Sequence, residues 1–156
     1  LDLFNWFLGK FHMVVGMVQT AFYNVEPLED NAFAILKTKD NKIASMHVSW
    51  TQWKNLFSFE IFGTKGSINV EGRGGSYGPQ KVSLIKRPKE HGAPEIETIE
   101  FPENNLSWED EWEEFIDAIE NDRAPLGSGE DGLEVMNLAW SIYKSAETGK
   151  FTVVDR

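Results

Sequence analysis

The spacing of apolar residues changes once along the chain, and that change limits the fold more than any other feature. From residue 11 to residue 101 apolar side chains come in short runs, several of them alternating with polar ones, which is the repeat of an extended strand. In Ile43 to Trp50 the residues Ala44, Met46, Val48 and Trp50 share one face, and Ser45, His47 and Ser49 share the other. From Ser107 onward the spacing is helical. Trp108, Trp112, Phe115, Ile116 and Ile119 form one stripe, and Leu133, Met136, Trp140 and Tyr143 form a second. Strands gathered before helices describe an α+β chain.

The punctuation supports this division. Leu1, Phe4, Phe7 and Leu8 make a helical stripe that Gly9 closes. Strands are expected over residues 11–23, 33–38, 43–50, 57–62, 67–70, 82–85, 96–101 and 151–154. Residues 26–31, with Pro27, read as a loop. Asp40-Asn41 and Gly63-Thr64-Lys65-Gly66 read as turns, and residues 88–94 as an exposed loop. Short turns between strands imply antiparallel pairing. Ser107 with Asp110, and Ser128 with Asp131, read as helix N-caps with capping boxes. Gly149 ends the last helix. The expected architecture is an open, mostly antiparallel sheet with helices packed on one face, formed by residues 1–156 as a single domain.

Composition removes several functions. The 156 residues are 41% apolar, enough for a core, so disorder is excluded. A net charge of −10 disfavours general nucleic-acid binding and anionic membrane surfaces. No run reaches the ~18 apolar residues of a membrane span. Residues 1–8 lack the basic start and cleavage site of a signal peptide. The absence of cysteine removes thiolate chemistry and disulfides. These points set a cytoplasmic expectation. The chain does not begin with Met, so it reads as a fragment of something longer.

Few residues carry chemistry. The acids of residues 109–120 lie opposite the apolar stripe of their helix, and their simplest role is a solvated face near its positive end. The segment Gly-Arg-Gly-Gly-Ser-Tyr-Gly-Pro at 72–79 lacks both a phosphate loop and a dinucleotide fingerprint. It is either a mobile inter-strand loop or a lid that brings Tyr77 to a ligand. Trp53, Lys54 and Asn55 combine an aromatic face with hydrogen-bond donors, a mixture suited to a polyhydroxylated ligand, whereas Trp50 reads as core. His47 reads as a structural histidine, and His12 and His91 have no supporting residues.

Three stretches resemble a known family. Leu1-Asp2-Leu3 with Asn5-Trp6-Phe7-Leu8-Gly9 is similar to the segment after the catalytic histidine of the Gfo/Idh/MocA oxidoreductases, relatives of glucose–fructose oxidoreductase and inositol dehydrogenase. Phe59-Glu60-Ile61-Phe62-Gly63-Thr64-Lys65-Gly66-Ser67-Ile68 resembles that family's strand, turn and strand. Ser107-Trp108, Glu114-Phe115-Ile116-Asp117-Ala118-Ile119, Asp131-Gly132-Leu133 and Tyr143-Lys144-Ser145-Ala146 resemble its C-terminal helices.

The resemblance implies the C-terminal half of a two-domain enzyme whose N-terminal Rossmann half binds NAD or NADP and is absent here. This chain would then hold no cofactor and no metal. The family's acid/base histidine would stand two positions before Leu1, with Asp2 orienting it. The resemblance also implies hydride transfer from a hydroxyl-bearing carbon of a sugar, sugar derivative or cyclitol. Trp53, Lys54 and Asn55 match the region that reaches substrate, with Tyr77 a further candidate. The exposed sheet face would join subunits into a homodimer or homotetramer. The alternative is a stand-alone carbohydrate-binding or oligomerisation module without redox activity.

Overall fold

A computed structural model describes residues 1–102 and 106–154. Three α-helices and eight strands follow the order α1 (Asp2–Leu8), β1 (Phe11–Gln19), β2 (Asn31–Thr38), β3 (Ile43–Ser49), β4 (Ser58–Gly63), β5 (Gly66–Glu71), β6 (Lys81–Lys86), β7 (Glu95–Glu100), α2 (Ser107–Glu120), α3 (Gly129–Thr148) and β8 (Thr152–Val153). The α+β class and the antiparallel pairing are both present. The strands are shared between two four-stranded sheets, ordered β3-β2-β1-β8 and β4-β5-β6-β7. The chain divides into two compact units: Leu1–Thr51 with Glu114–Arg156, and Gln52–Glu113.

The first unit is built on alternation. Val14, Ala34, Leu36 and Ala44 point from their strands to one side and are buried with Phe11, Leu138, Ile142 and Val154. Leu1, Phe4 and Leu8 of α1 pack on this core, with Phe4 edge-on to Phe11. The core depends on a close approach at Gly16. A Cβ there would lie 2.6 Å from the Ile142 side chain and 3.0 Å from its carbonyl oxygen. The Gly16 N–H donates to Ser145 Oγ (3.0 Å), and that hydroxyl donates to the Lys150 carbonyl (2.6 Å). Because β8 pairs only with Met13 and Val14, Ser145 supplies the acceptor beyond its end.

The caps of α3 match the sequence expectation. Ser128 Oγ accepts the Asp131 N–H, the Asp131 carboxylate accepts the Ser128 N–H, and Gly149 closes the helix at φ 65°. At α2 the helix includes Ser107 as its first residue, and Asp110 N–H donates to the Leu106 carbonyl.

The strand expected over residues 11–23 stops at Gln19, and the cause is Asp30. Its carboxylate accepts the backbone N–H groups of Ala21, Phe22 and Tyr23 (2.8, 2.8 and 2.9 Å) and the Asn31 side-chain amide (2.8 Å). Those donors leave the ladder and fold back on one side chain that is only 3% exposed. The Asp30 carbonyl also accepts the Trp50 N–H (2.9 Å). Trp50, expected in the core, lies just past the end of β3 and is 67% exposed, with its ring edge-on to Tyr23 at 6.2 Å. The backbone donors hold the Asp30 carboxyl well below its ordinary value.

Two acids of α2 are more than a solvated face. Arg123 Nη1 and Nη2 each donate to Glu114 (2.7 Å), and Arg123 also bonds Asp117. Glu114 further accepts the Leu126 N–H (2.8 Å), and these bonds hold its carboxyl down to about 2. The clamp fixes the turn that follows α2.

Two outcomes test this account. Gly16→Val forces Ile142 out of place and costs about 1–3 kcal/mol in urea unfolding, the range for overpacked cores. Asp30→Asn lowers the melting temperature at pH 7. A carboxylate held below its unfolded value adds stability above pH ~4 that is lost on acidification, so the gap between the two proteins narrows in melts at pH 4 and 3.

Candidate functional site

In the second unit the segment leaving the first sheet runs through Trp53, Lys54 and Asn55 into β4. Trp53 has φ 56°, a conformation a bulky side chain seldom adopts and one that collects at ligand-binding positions. Its indole is 67% exposed, and Lys54 and Asn55 are also exposed. Asn55 Nδ2 donates to Ser76 Oγ (2.6 Å), which ties this segment to the glycine-rich loop between β5 and β6.

That loop is ordered by its own bonds. Gly75–Tyr77 forms a single 3-10 turn, with Tyr77 N–H donating to the Gly74 carbonyl and Gly78 N–H to the Gly75 carbonyl. Gly72 is obligatory at its base. The residue sits at φ 72°, and a Cβ would fall 2.1 Å from the Pro79 carbonyl oxygen. The turn places Tyr77 next to Ser76, on the loop that Asn55 grips.

Beneath the loop, a cleft of about 270 Å³ opens on one face of the second sheet. Val70 and Val82 are ladder partners on its floor, with Phe57 and Phe101 beside them. Arg73 and Gln80 supply its polar groups. The Arg73 guanidinium lies 5.7 Å from the Phe57 ring centre and 5.9 Å from that of Tyr77, within cation–π range of both.

Of the residues singled out from sequence, Asn55 and Tyr77 are therefore joined through Ser76, and Trp53 and Lys54 occupy the same connecting segment. Asp2 belongs to the other unit, where it is exposed in the first turn of α1, a favourable place for an acid. Sequence reading missed Arg73, Phe57, Gln80 and Phe101. The available signal was a lone cation among glycines, Gly72-Arg73-Gly74-Gly75. His47 stacks on Phe33 at 4.2 Å on the exposed face of the first sheet. Among the described residues no group of His, Asp and Glu is arranged to hold a metal.

The fold has known counterparts. Levoglucosan dehydrogenase, in complex with NADH, superposes with a TM-score of 0.82 at 17% identity, covering 99% of this chain and 48% of that one. The WlbA dehydrogenase from Bordetella pertussis, in complex with NADH and UDP-GlcNAcA, gives 0.70 at 23% identity, covering 99% and 42%. This chain thus spans about half the length of these proteins, and at such identities the likeness is one of fold. No curated protein sequence matches the chain significantly. The family model described as "Oxidoreductase family, C-terminal alpha/beta domain" matches residues 1–154. A match over that length, on this fold, identifies the chain as a member of the Gfo/Idh/MocA oxidoreductase family through its C-terminal α/β domain.

Proposed function

We propose that the chain is the substrate-binding and oligomerisation half of an NAD(P)-dependent oxidoreductase that acts on a hydroxyl of a sugar, sugar derivative or cyclitol. The observation that carries this reading is the family match over residues 1–154, in a chain that covers 48% of a dehydrogenase bound to NADH. Structures similar to this one include levoglucosan dehydrogenase with levoglucosan and with L-sorbose, and WlbA with UDP-GlcNAcA.

The residues of this chain do not fit a dinucleotide. The glycine-rich loop leads from β5 through a 3-10 turn to another antiparallel strand, whereas a pyrophosphate cradle needs a strand, a turn and a helix N-terminus. The start of α3 is closed by its own Ser128–Asp131 capping box. The cofactor therefore belongs to a Rossmann half outside these residues. The part left to this chain is to hold the substrate, with Trp53 and Tyr77 giving ring faces and Lys54 and Asn55 giving hydrogen bonds. Asp2 is assigned to orient the acid/base histidine that precedes it.

Exposed apolar surface supports the two partners in this reading. On α3, Leu133, Met136 and Trp140 lie opposite the buried Leu138, Ser141 and Ile142, and Trp140 is 74% exposed. An apolar stripe on the outside of a packed helix suits a covering domain. On the outer face of the first sheet Met17 pairs with Phe33 beside Ile35, all exposed, which suits a second subunit. Among the described residues no helix is long and apolar enough to cross a membrane. The location we propose is cytoplasmic.

Two measurements test the reading. Adding NADH to this chain leaves its tryptophan fluorescence and melting temperature unchanged, and saturable micromolar binding overturns the division of labour. In the complete protein, Trp53→Ala and Tyr77→Ala each lower kcat/KM for the sugar about tenfold, the scale of a lost aromatic contact with its buried area. Unchanged values for both overturn the site. Sugar binding without turnover in the complete protein would favour the stand-alone carbohydrate-binding module.

A further inference from the structure

Arg73 is a cation placed where the rest of the chain gives it little to do. The protein carries 25 acids against 15 bases, and Lys10, Lys42, Lys81, Lys86 and Arg123 each meet a carboxylate. Among the described residues no carboxylate lies within ion-pair distance of Arg73; its contacts are the Phe57 and Tyr77 rings. The nearest acid in sequence, Glu71, is the ladder partner of Lys81. Alternation along β5 directs Glu71 to the face opposite Val70, away from the cleft floor.

The support of Arg73 is rigid on both sides. Gly72 fixes the backbone before it, because no side chain fits there, and the Gly74 N–H donates to the Gly78 carbonyl (2.9 Å) after it. The two rings contact the guanidinium without using its N–H donors, which leaves the planar fork available for a bidentate acceptor. Below it the floor is apolar, made of Phe57, Val70, Val82 and Phe101, with the Gln80 amide at the side. The volume of about 270 Å³ falls just under the ~300–1,000 Å³ typical of pockets for drug-sized ligands. One ring fills it.

We propose that this cleft binds a single-ring organic anion, with Arg73 gripping its carboxylate and the apolar floor lying against the C–H face of the ring. The proposal rests on the sugar-binding reading above and narrows it to carboxylated sugars, of which a uronate is the simplest.

The test compares D-glucuronate with D-glucose, which differ at C6 by carboxylate against CH2OH, and with inorganic phosphate. Each is titrated into the ¹⁵N-labelled chain and followed by amide shifts. Glucuronate moves the amides of Gly72, Arg73 and Gly74 and the side-chain amide of Gln80 saturably. It binds about tenfold more tightly than glucose, the lower end for a charge-assisted hydrogen bond at an open site. Added salt weakens it. R73Q brings glucuronate down to the affinity of glucose without changing the melting temperature, since the side chain is exposed.

Equal affinity for glucuronate and glucose in the unaltered chain overturns the anion assignment and leaves the sugar reading standing. A preference that survives R73Q overturns the assignment of the carboxylate to Arg73. If phosphate alone moves these amides, the proposal of a carboxylated sugar is overturned and the cleft takes a small inorganic anion instead. If none of the three moves them, the cleft proposal is overturned, while the substitutions at Trp53 and Tyr77 in the complete protein judge the wider reading independently.

Discussion

The first unit hangs on a missing side chain. Helix α3 can lie on β1 only because Gly16 offers no Cβ, so that the Ile142 side chain occupies the space one would need. That approach brings the Ser145 hydroxyl to the Gly16 N–H and lets it donate onward to Lys150. One small residue on the strand and one small polar residue on the helix thus set the distance between the two elements. The order β3-β2-β1-β8 then follows, because the chain leaving α3 at Gly149 returns beside β1 within a few residues. Burial of Phe11, Val14, Leu36 and Leu138 is the result of this placement.

Much of the fold was legible in the sequence because its signals are local. Alternation marked the strands, Gly63 to Gly66 marked a hairpin that forms in register, and Ser128, Asp131 and Gly149 marked both ends of α3. The misread places have distant causes. The end of β1 is decided by Asp30, eleven residues beyond Gln19, whose carboxylate draws three backbone donors out of the ladder. Trp50 continues the pattern of Ala44 and Met46, yet β3 ends before it, and its N–H turns to Asp30. A pattern states which face a residue would use, and only tertiary bonds state where the strand stops.

The candidate site was half legible for a similar reason. An aromatic among donors at residues 53–55, and a tyrosine among glycines, stand out by composition. Arg73 does not, because one cation in a loop is ordinary. Its significance appears only when the rings of Phe57 and Tyr77 bracket it and no acid does. The family identification agrees with the motifs that suggested it, and it rests on the match of the family model over residues 1–154.

Helix α3 carries apolar residues on two opposite sides. Leu138 and Ile142 face the core, and Leu133, Met136 and Trp140 face outward. If the outer stripe is covered as proposed, only the flanks between them stay wet. Such a helix has little room to drift. Most substitutions along its 20 residues would meet one packed surface or the other, and neutral change would collect in two narrow bands. Among homologues, α3 should therefore diverge more slowly than α2, whose acidic side stays in water except where Glu114 and Asp117 hold Arg123.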